Sequence, residues 1–125
     1  MKYLLDVNAL LAAILAIHSR HQVADTWLRR KLLATCPLSE LGFLRISTNP
    51  KAYNLSMALA RQALEAFVKA HKVEFVPADL PAIDSRAHKS EAVTDSYLAE
   101  LAARRGMKLA TLDTGIAHAA VEVMR

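Results

Sequence analysis

Four carboxylates stand where four separate apolar stretches of the chain end. Asp6 follows Lys2-Tyr3-Leu4-Leu5, Glu40 follows Pro37-Leu38-Ser39, Asp95 follows Ala92-Val93-Thr94, and Asp113 follows Leu109-Ala110-Thr111-Leu112. Short apolar runs that stop abruptly at an acid read as buried strands whose C-terminal ends carry the polar group. In an open α/β sheet, ligands bind in the crevice outside those strand ends. Acids converging there from distant parts of the chain repel one another unless a cation sits among them. The chemistry this pattern points to is that of a hard divalent metal site.

An all-oxygen ligand set suits Mg²⁺ or Mn²⁺, which keep several waters and accept carboxylates together with substrate phosphate. Two such ions about 4 Å apart can activate a water and stabilise the leaving oxygen of a phosphodiester. Other readings stand beside this one. Glu40 and Asp95 fall in the first turns of helices, where the macrodipole alone favours an acid by roughly 0.3–1 kcal/mol. His18 and His21 are three residues apart, but with no third ligand in view they read as an exposed or capping pair rather than a zinc site. Ser39, Ser96 and Cys36 lack an activating base, which argues against a nucleophilic hydrolase. A phosphohydrolase with Asp6 as nucleophile would usually carry a second acid two residues later, where Asn8 stands. For the same reason a receiver-type phosphoacceptor fits poorly.

Elements must bring these acids together. Lys2 to Leu5 reads as a first strand, and Asn8 as the N-cap of a helix from Ala9 to about Ile17. Ser19 offers a second cap, for a helical stripe through Val23 and Trp27 up to Leu33. Ala34 to Cys36 is a short strand stopped by Pro37. Ser39 then caps a helix with Glu40, Phe43, Leu44 and Ser47 on one face, ended by Asn49-Pro50. Ser56 to Ala70 is a long helix, Val73 to Val76 a strand, and Asp79 to His88 a helix entered through Leu80-Pro81. Thr94 caps the helix carrying Asp95, Gly106 closes it, and Lys108 to Leu112 is a strand. The last segment fits either a helix or a short edge strand over Val121 to Met124. The alternation predicts an α/β fold, three layers with a central parallel sheet of four or five strands flanked by helices.

A chain of 125 residues corresponds to one domain, here 1–125. Its apolar content of 54% suggests an apolar face reserved for a partner, and its net charge of +4 is compatible with a polyanionic substrate. One cysteine, Cys36, excludes an internal disulfide. Leu10 to Ile17 is too short to span a bilayer, and Asp6 interrupts any signal-like run, so a soluble, cytoplasmic protein is expected.

The segments Leu4-Leu5-Asp6-Val7-Asn8-Ala9-Leu10-Leu11, Ser39-Glu40-Leu41, Val93-Thr94-Asp95-Ser96-Tyr97-Leu98-Ala99 and Ala110-Thr111-Leu112-Asp113 resemble the four acidic motifs of PIN-domain nucleases. The likeness is nearest to the VapC ribonuclease toxins of type II toxin–antitoxin systems. Arg45-Ile46-Ser47-Thr48-Asn49-Pro50 and His21 to Trp27 also look like the VapC pattern, so the resemblance covers nearly the whole chain. It implies a PIN-like sheet, a Mg²⁺- or Mn²⁺-dependent endoribonuclease acting on RNA, and a cognate antitoxin that blocks the site. Asp6, Glu40, Asp95 and Asp113 carry over as catalytic, metal-binding acids, with Asn8 and Thr111 in support. Thr114-Gly115-Ile116 departs from a pattern in which many relatives have a basic residue, Gly and Phe, which bears on phosphate contact and base stacking. A PIN-like RNA-binding or regulatory module without useful catalysis is the alternative.

Arg29, Arg30 and Lys31 form one basic cluster and Arg104, Arg105 and Lys108 another; each reads as an RNA contact or as a charged helix face. Arg45, about a turn beyond Glu40, is the better candidate for RNA. Trp27, Phe43, Phe67 and Phe75 are expected in the core. Leu10 to Ile17 is either buried within the protomer or a surface for a homodimer or the antitoxin.

Overall fold

The computed structural model describes residues 1–125. Its elements are β1 (Lys2–Leu5), α1 (Val7–Ile14), α2 (His21–Trp27), β2 (Leu32–Thr35), α3 (Pro37–Thr48), α4 (Met57–Ala70), β3 (Glu74–Phe75), α5 (Val93–Arg104), β4 (Lys108–Thr111) and β5 (Val121–Val123), with 3₁₀ turns at Ala82–Asp84 and Ser90–Ala92. The five strands form one parallel sheet in the order β3-β2-β1-β4-β5. Parallel strands are covered on both faces, so their sequences are continuously apolar rather than alternating. Leu5, Leu33 and Ala110 point into one core with α1 and with Phe43 and Phe67. Leu4, Ala34 and Leu109 point into the opposite core with Tyr97, Leu98 and Leu101 of α5. This is the expected three-layer α/β architecture, with helices on both faces. No helix is long and apolar enough to cross a membrane.

The last segment is an edge strand, paired with β4 at Leu109↔Val121 and Thr111↔Val123. Residues 112–120 make the crossover from β4 without a helix, so this loop runs over the C-terminal edge of the sheet. Several boundaries differ from the sequence reading. Asp6, not Asn8, caps α1, its Oδ1 accepting the Ala9 N–H at 2.7 Å. Ser39 lies inside α3, which begins with Pro37 at its first turn; its hydroxyl donates to the Leu5 carbonyl at 2.6 Å and ties α3 to β1. Thr94 is likewise inside α5, which a 3₁₀ turn feeds directly through Ala92. The helix expected over Asp79–His88 shrinks to one turn, because the segment's stabilising contacts are side-chain ties to α5 instead of its own ladder. The buried Tyr97 hydroxyl donates to the Leu80 carbonyl at 2.8 Å and accepts the Leu80 N–H at 3.2 Å. Phe75, expected in the core, is 57% exposed on the short edge strand β3. Ser56 caps α4 as expected, and Gly106 takes the left-handed φ of 67° after α5.

Candidate active site

The strand order runs 3-2-1 on one side of β1 and 4-5 on the other, so the topological switch point lies between β1 and β4. The crevice outside the C-terminal ends of strands at such a point is where open α/β sheets bind ligands. Asp6 directly follows β1 and Asp113 follows β4 by two residues. Each helix that follows or precedes a parallel strand runs back along it, so α1, α3 and α5 all present their N-termini to this edge. Their positive dipole ends favour the carboxylates of Asp6, Glu40 and Asp95 there.

Asp6 is 2% exposed. Its backbone N–H donates to the Ala110 carbonyl at 3.1 Å, extending the β1–β4 ladder. Burial first, and then the charges of Asp95 and Asp113, push its carboxyl up to about 6, against the Thr111 hydroxyl and the Ala9 N–H, which favour the anion. The Thr111 hydroxyl also accepts the Asp113 N–H at 3.0 Å. Its proton is therefore free for Asp6, and one buried side chain bridges two of the acids. Asp95 is half-buried, and burial followed by the Asp113 charge raises its carboxyl as well. Asp113 itself is exposed, its Oδ1 held by the Gly115 N–H at 2.7 Å.

Glu40 is fixed differently. Its Oε2 accepts the Thr35 hydroxyl at 2.7 Å, and Thr35 ends β2 level with Leu5 by the β1–β2 register. Glu40 thus belongs to the same sheet edge, on the β2 side, whereas Asp6, Asp95 and Asp113 are the three that act on one another's charge. None of the seven ion pairs in the chain uses any of the four acids. No three or more acidic, His or Cys side chains converge closely enough to ligate one ion as they stand. The donor chemistry nevertheless fits a hard divalent cation: oxygen ligands only, mutually repelling, and without a protein cation to neutralise them.

Asn8 is exposed in the first turn of α1, its Oδ1 accepting Nε2–H of His18 at 3.0 Å. His18 Nδ1 accepts the Arg20 N–H at 3.0 Å, which fixes that tautomer, and burial keeps the ring below its ordinary value. His21 Nδ1 donates to the Ala12 carbonyl at 2.7 Å, so both histidines serve to hold the α1–α2 corner. Arg45 is exposed near the end of α3 without an ion-pair partner. Five residues of helix turn it about 140° around the axis from Glu40 and carry it roughly 7.5 Å further along. The two basic clusters are largely engaged at the surface: Arg29 with Asp25, Arg104 with Glu100 and Asp84, Arg105 with Asp79, and Lys108 with Glu122.

A cavity of about 400 Å³ opens beside Asp95 and Asp113, with Arg86, Lys89 and His118 also in its wall. None of these three, nor Thr35, stands out from the sequence as a site residue. Arg86, His88 and Lys89 lie just upstream of an acid-bearing helix, a local signal that was available. His118 acts through a bond to Glu100, distant in sequence, and Thr35 through one to Glu40 across the β2–α3 junction. The Ala120 N–H occupies Nδ1 of His118 at 3.0 Å, so Nε2 donates to Glu100 at 3.1 Å and ties the Asp113 loop to α5. That bond, with the Arg104 guanidinium, holds the Glu100 carboxyl below the usual range.

The model of the PIN domain matches residues 3–122. Ribonuclease VapC38 of Mycobacterium tuberculosis (strain ATCC 25618 / H37Rv) is 40% identical over 125 residues, covering 90% of this chain and 86% of its own length. The chain is a PIN-domain protein of the VapC ribonuclease family. Ribonuclease VapC29 of M. tuberculosis (strain CDC 1551 / Oshkosh) is 35% identical, covering 94% of this PIN domain and 90% of its own length. Among solved structures, VapBC2 from Rickettsia felis bound to a DNA fragment from their promoter superposes with a TM-score of 0.67 over the whole of both chains. At 14% identity that likeness speaks for the PIN fold alone.

Proposed function

We propose that this PIN domain is an endoribonuclease, the toxin component of a type II toxin–antitoxin pair, hydrolysing RNA phosphodiester bonds at the C-terminal edge of its sheet. Residues 1–125 act as one nuclease domain. The observation that carries the reading is that Asp6, Asp95 and Asp113 act on one another's charge near the topological switch point with no ion-pair partner to neutralise them. VapC ribonucleases at 32–40% identity support the activity and the toxin role.

Asp6, Asp95 and Asp113, with Glu40 across the edge, would hold Mg²⁺ or Mn²⁺. Such an ion supplies Lewis-acid polarisation of the phosphate and activation of a water nucleophile. The chain's own contribution is positional. The Ala9 N–H and Thr111 hydroxyl fix both the orientation and the anionic form of Asp6. Thr35 orients Glu40, Thr111 and Gly115 hold Asp113, and helix N-termini compensate part of the gathered charge. Water adds to phosphorus and one P–O bond breaks, with no covalent enzyme intermediate. Asn8 borders this centre, and Arg45 lies on the outer part of α3 as a contact for more distant RNA phosphates. Exposed apolar side chains, among them Ile17, Leu41 and Leu59, suit a homodimer and a cognate antitoxin in the cytoplasm.

Incubation of total RNA with the purified protein tests the reading. Cleavage should require added Mg²⁺ or Mn²⁺, stop with chelator, and disappear in Asp6→Asn and Asp113→Asn. RNA binding without cleavage under every metal condition would instead assign a regulatory module.

A further inference from the structure

The lining of the cavity beside Asp95 and Asp113 carries both signs: the carboxylates of Glu91, Asp95 and Asp113, and the cations of Arg86 and Lys89. Neither cation takes part in an ion pair, although the clusters at Arg29, Arg104, Arg105 and Lys108 are all paired. The segment that carries Arg86 is also held in place. The Arg86 N–H donates to Ser96 Oγ at 3.1 Å, next to Asp95, and Ser85 Oγ donates to the Val93 carbonyl at 2.9 Å. Tyr97 clamps Leu80 at the start of the same segment. A segment tied to α5 at Val93, Ser96 and Tyr97 brings Arg86 next to Asp95, with the ordering cost met on folding. The loop after Asp113 brings no Lys or Arg to this cavity, so the positive charge of the cleft comes from residues 86–89.

We propose that Arg86 and Lys89 are the phosphate-gripping wall of the cleft: a single-stranded RNA crosses it with the phosphate next to the scissile one between these two cations. The inference rests on the ribonuclease reading above and adds the residues that fix the path of the strand. The carboxylates of the cleft repel a polyanion. The two unpaired cations in the same lining supply the attraction that draws it in and set which way it lies.

The test is the salt dependence of binding, read by fluorescence anisotropy with a labelled single-stranded RNA of about twenty nucleotides in chelator, so that no cleavage occurs. Each phosphate contact on a single strand contributes roughly 0.7 to the slope of log K against log salt. The double substitution Arg86→Gln, Lys89→Gln should therefore lower the slope by about 1.4. Lys69→Gln, Lys72→Gln, which remove charge ahead of β3 at the opposite sheet edge, should leave it unchanged. Arg86→Lys with Lys89→Arg keeps both charges and should keep the slope, which separates lost contacts from lost folding. An unaltered slope in the cleft variant, an equal fall in the control pair, or no binding by the wild type at low salt would overturn the proposal. Failure of the ribonuclease reading has a different signature, a wild type that leaves RNA intact in Mg²⁺ and Mn²⁺.

Discussion

Replacing Asp6 by Asn should make the metal-free protein more stable while abolishing its activity. Burial raises the Asp6 carboxyl from 3.8 to about 6 in the fold, net of the two hydrogen bonds that favour the anion. At 1.36 kcal/mol per pKa unit, ionised Asp6 costs the fold about 3 kcal/mol at neutral pH. The sign follows from proton binding: between the unfolded and folded pKa values the native state holds more protons than the unfolded chain. Stability from this residue is therefore greatest below about pH 4, falls as pH rises towards 6, and is level above that. Asn caps a helix as well as Asp does, so the Ala9 bond is kept, and its amide can donate to Thr111 Oγ. In urea unfolding with chelator, Asp6→Asn should exceed the wild type by up to about 3 kcal/mol near neutrality and by almost nothing near pH 3. Added Mn²⁺ should close the gap, since only the wild type gains ligand linkage, about 2.7 kcal/mol at a hundred times Kd. A variant no more stable than wild type at neutral pH, or one whose advantage is the same at both pH values, would refute the reasoning.

Two further outcomes follow from the same edge of the sheet. A Cβ on Gly42 would overlap both methyl groups of Val7, the stiff β-branched residue that opens α1 next to Asp6. Gly42→Ala should destabilise by about 1–3 kcal/mol from overpacking, less about 1 kcal/mol of helix propensity, and lower cleavage further by displacing Asp6; Val7→Ala in the same chain should restore stability in urea titrations. Thr111→Val removes the hydroxyl between Asp6 and Asp113 and should cost about 1–3 kcal/mol by unfolding, with the acid limb of the cleavage pH profile moved to higher pH.

What could be read in advance was whatever the chain encodes locally. β1 and β4 were visible as apolar runs closed by an acid, α3 ended where Asn49-Pro50 forbids helix, and Ser56 and Gly106 marked the ends of α4 and α5. Two of the errors share one cause. Ser39 and Tyr97 spend their polar atoms on partners that only the fold brings near, the Leu5 carbonyl and Leu80, whereas the Asp6 cap on Ala9 is local and two candidate caps, Asp6 and Asn8, stood side by side. A rule that places Ser at a helix start cannot know that a strand carbonyl 34 residues away has the stronger claim on it. The last segment was undecidable because three residues of apolar pattern suit either state, and pairing with β4 settles it. Among the site residues, the acids were legible from type and position. Thr35, Arg86 and Lys89 were not singled out, since their meaning depends on what they face.

The acids at this edge illustrate why a catalytic centre can be conspicuous in sequence and costly in the fold. Asp6 is buried where an uncharged residue would be more stable, and Asp95 is pushed in the same direction by burial and by Asp113. Local structure offsets part of that cost at each position, through the capping N–H of Ala9, the hydroxyls of Thr111 and Thr35, and three helix N-termini. The compensation stops short of neutralisation. Had Arg86 or Lys89 closed onto Asp95 or Asp113 as an ion pair, the fold would gain little, because such exposed pairs contribute about 0–1 kcal/mol. It would lose both the unpaired negative charge that attracts a divalent cation and the free positive charge that attracts a phosphate. The two signs line the same cavity unpaired, and that leaves each available to the opposite end of a metal–phosphate pair.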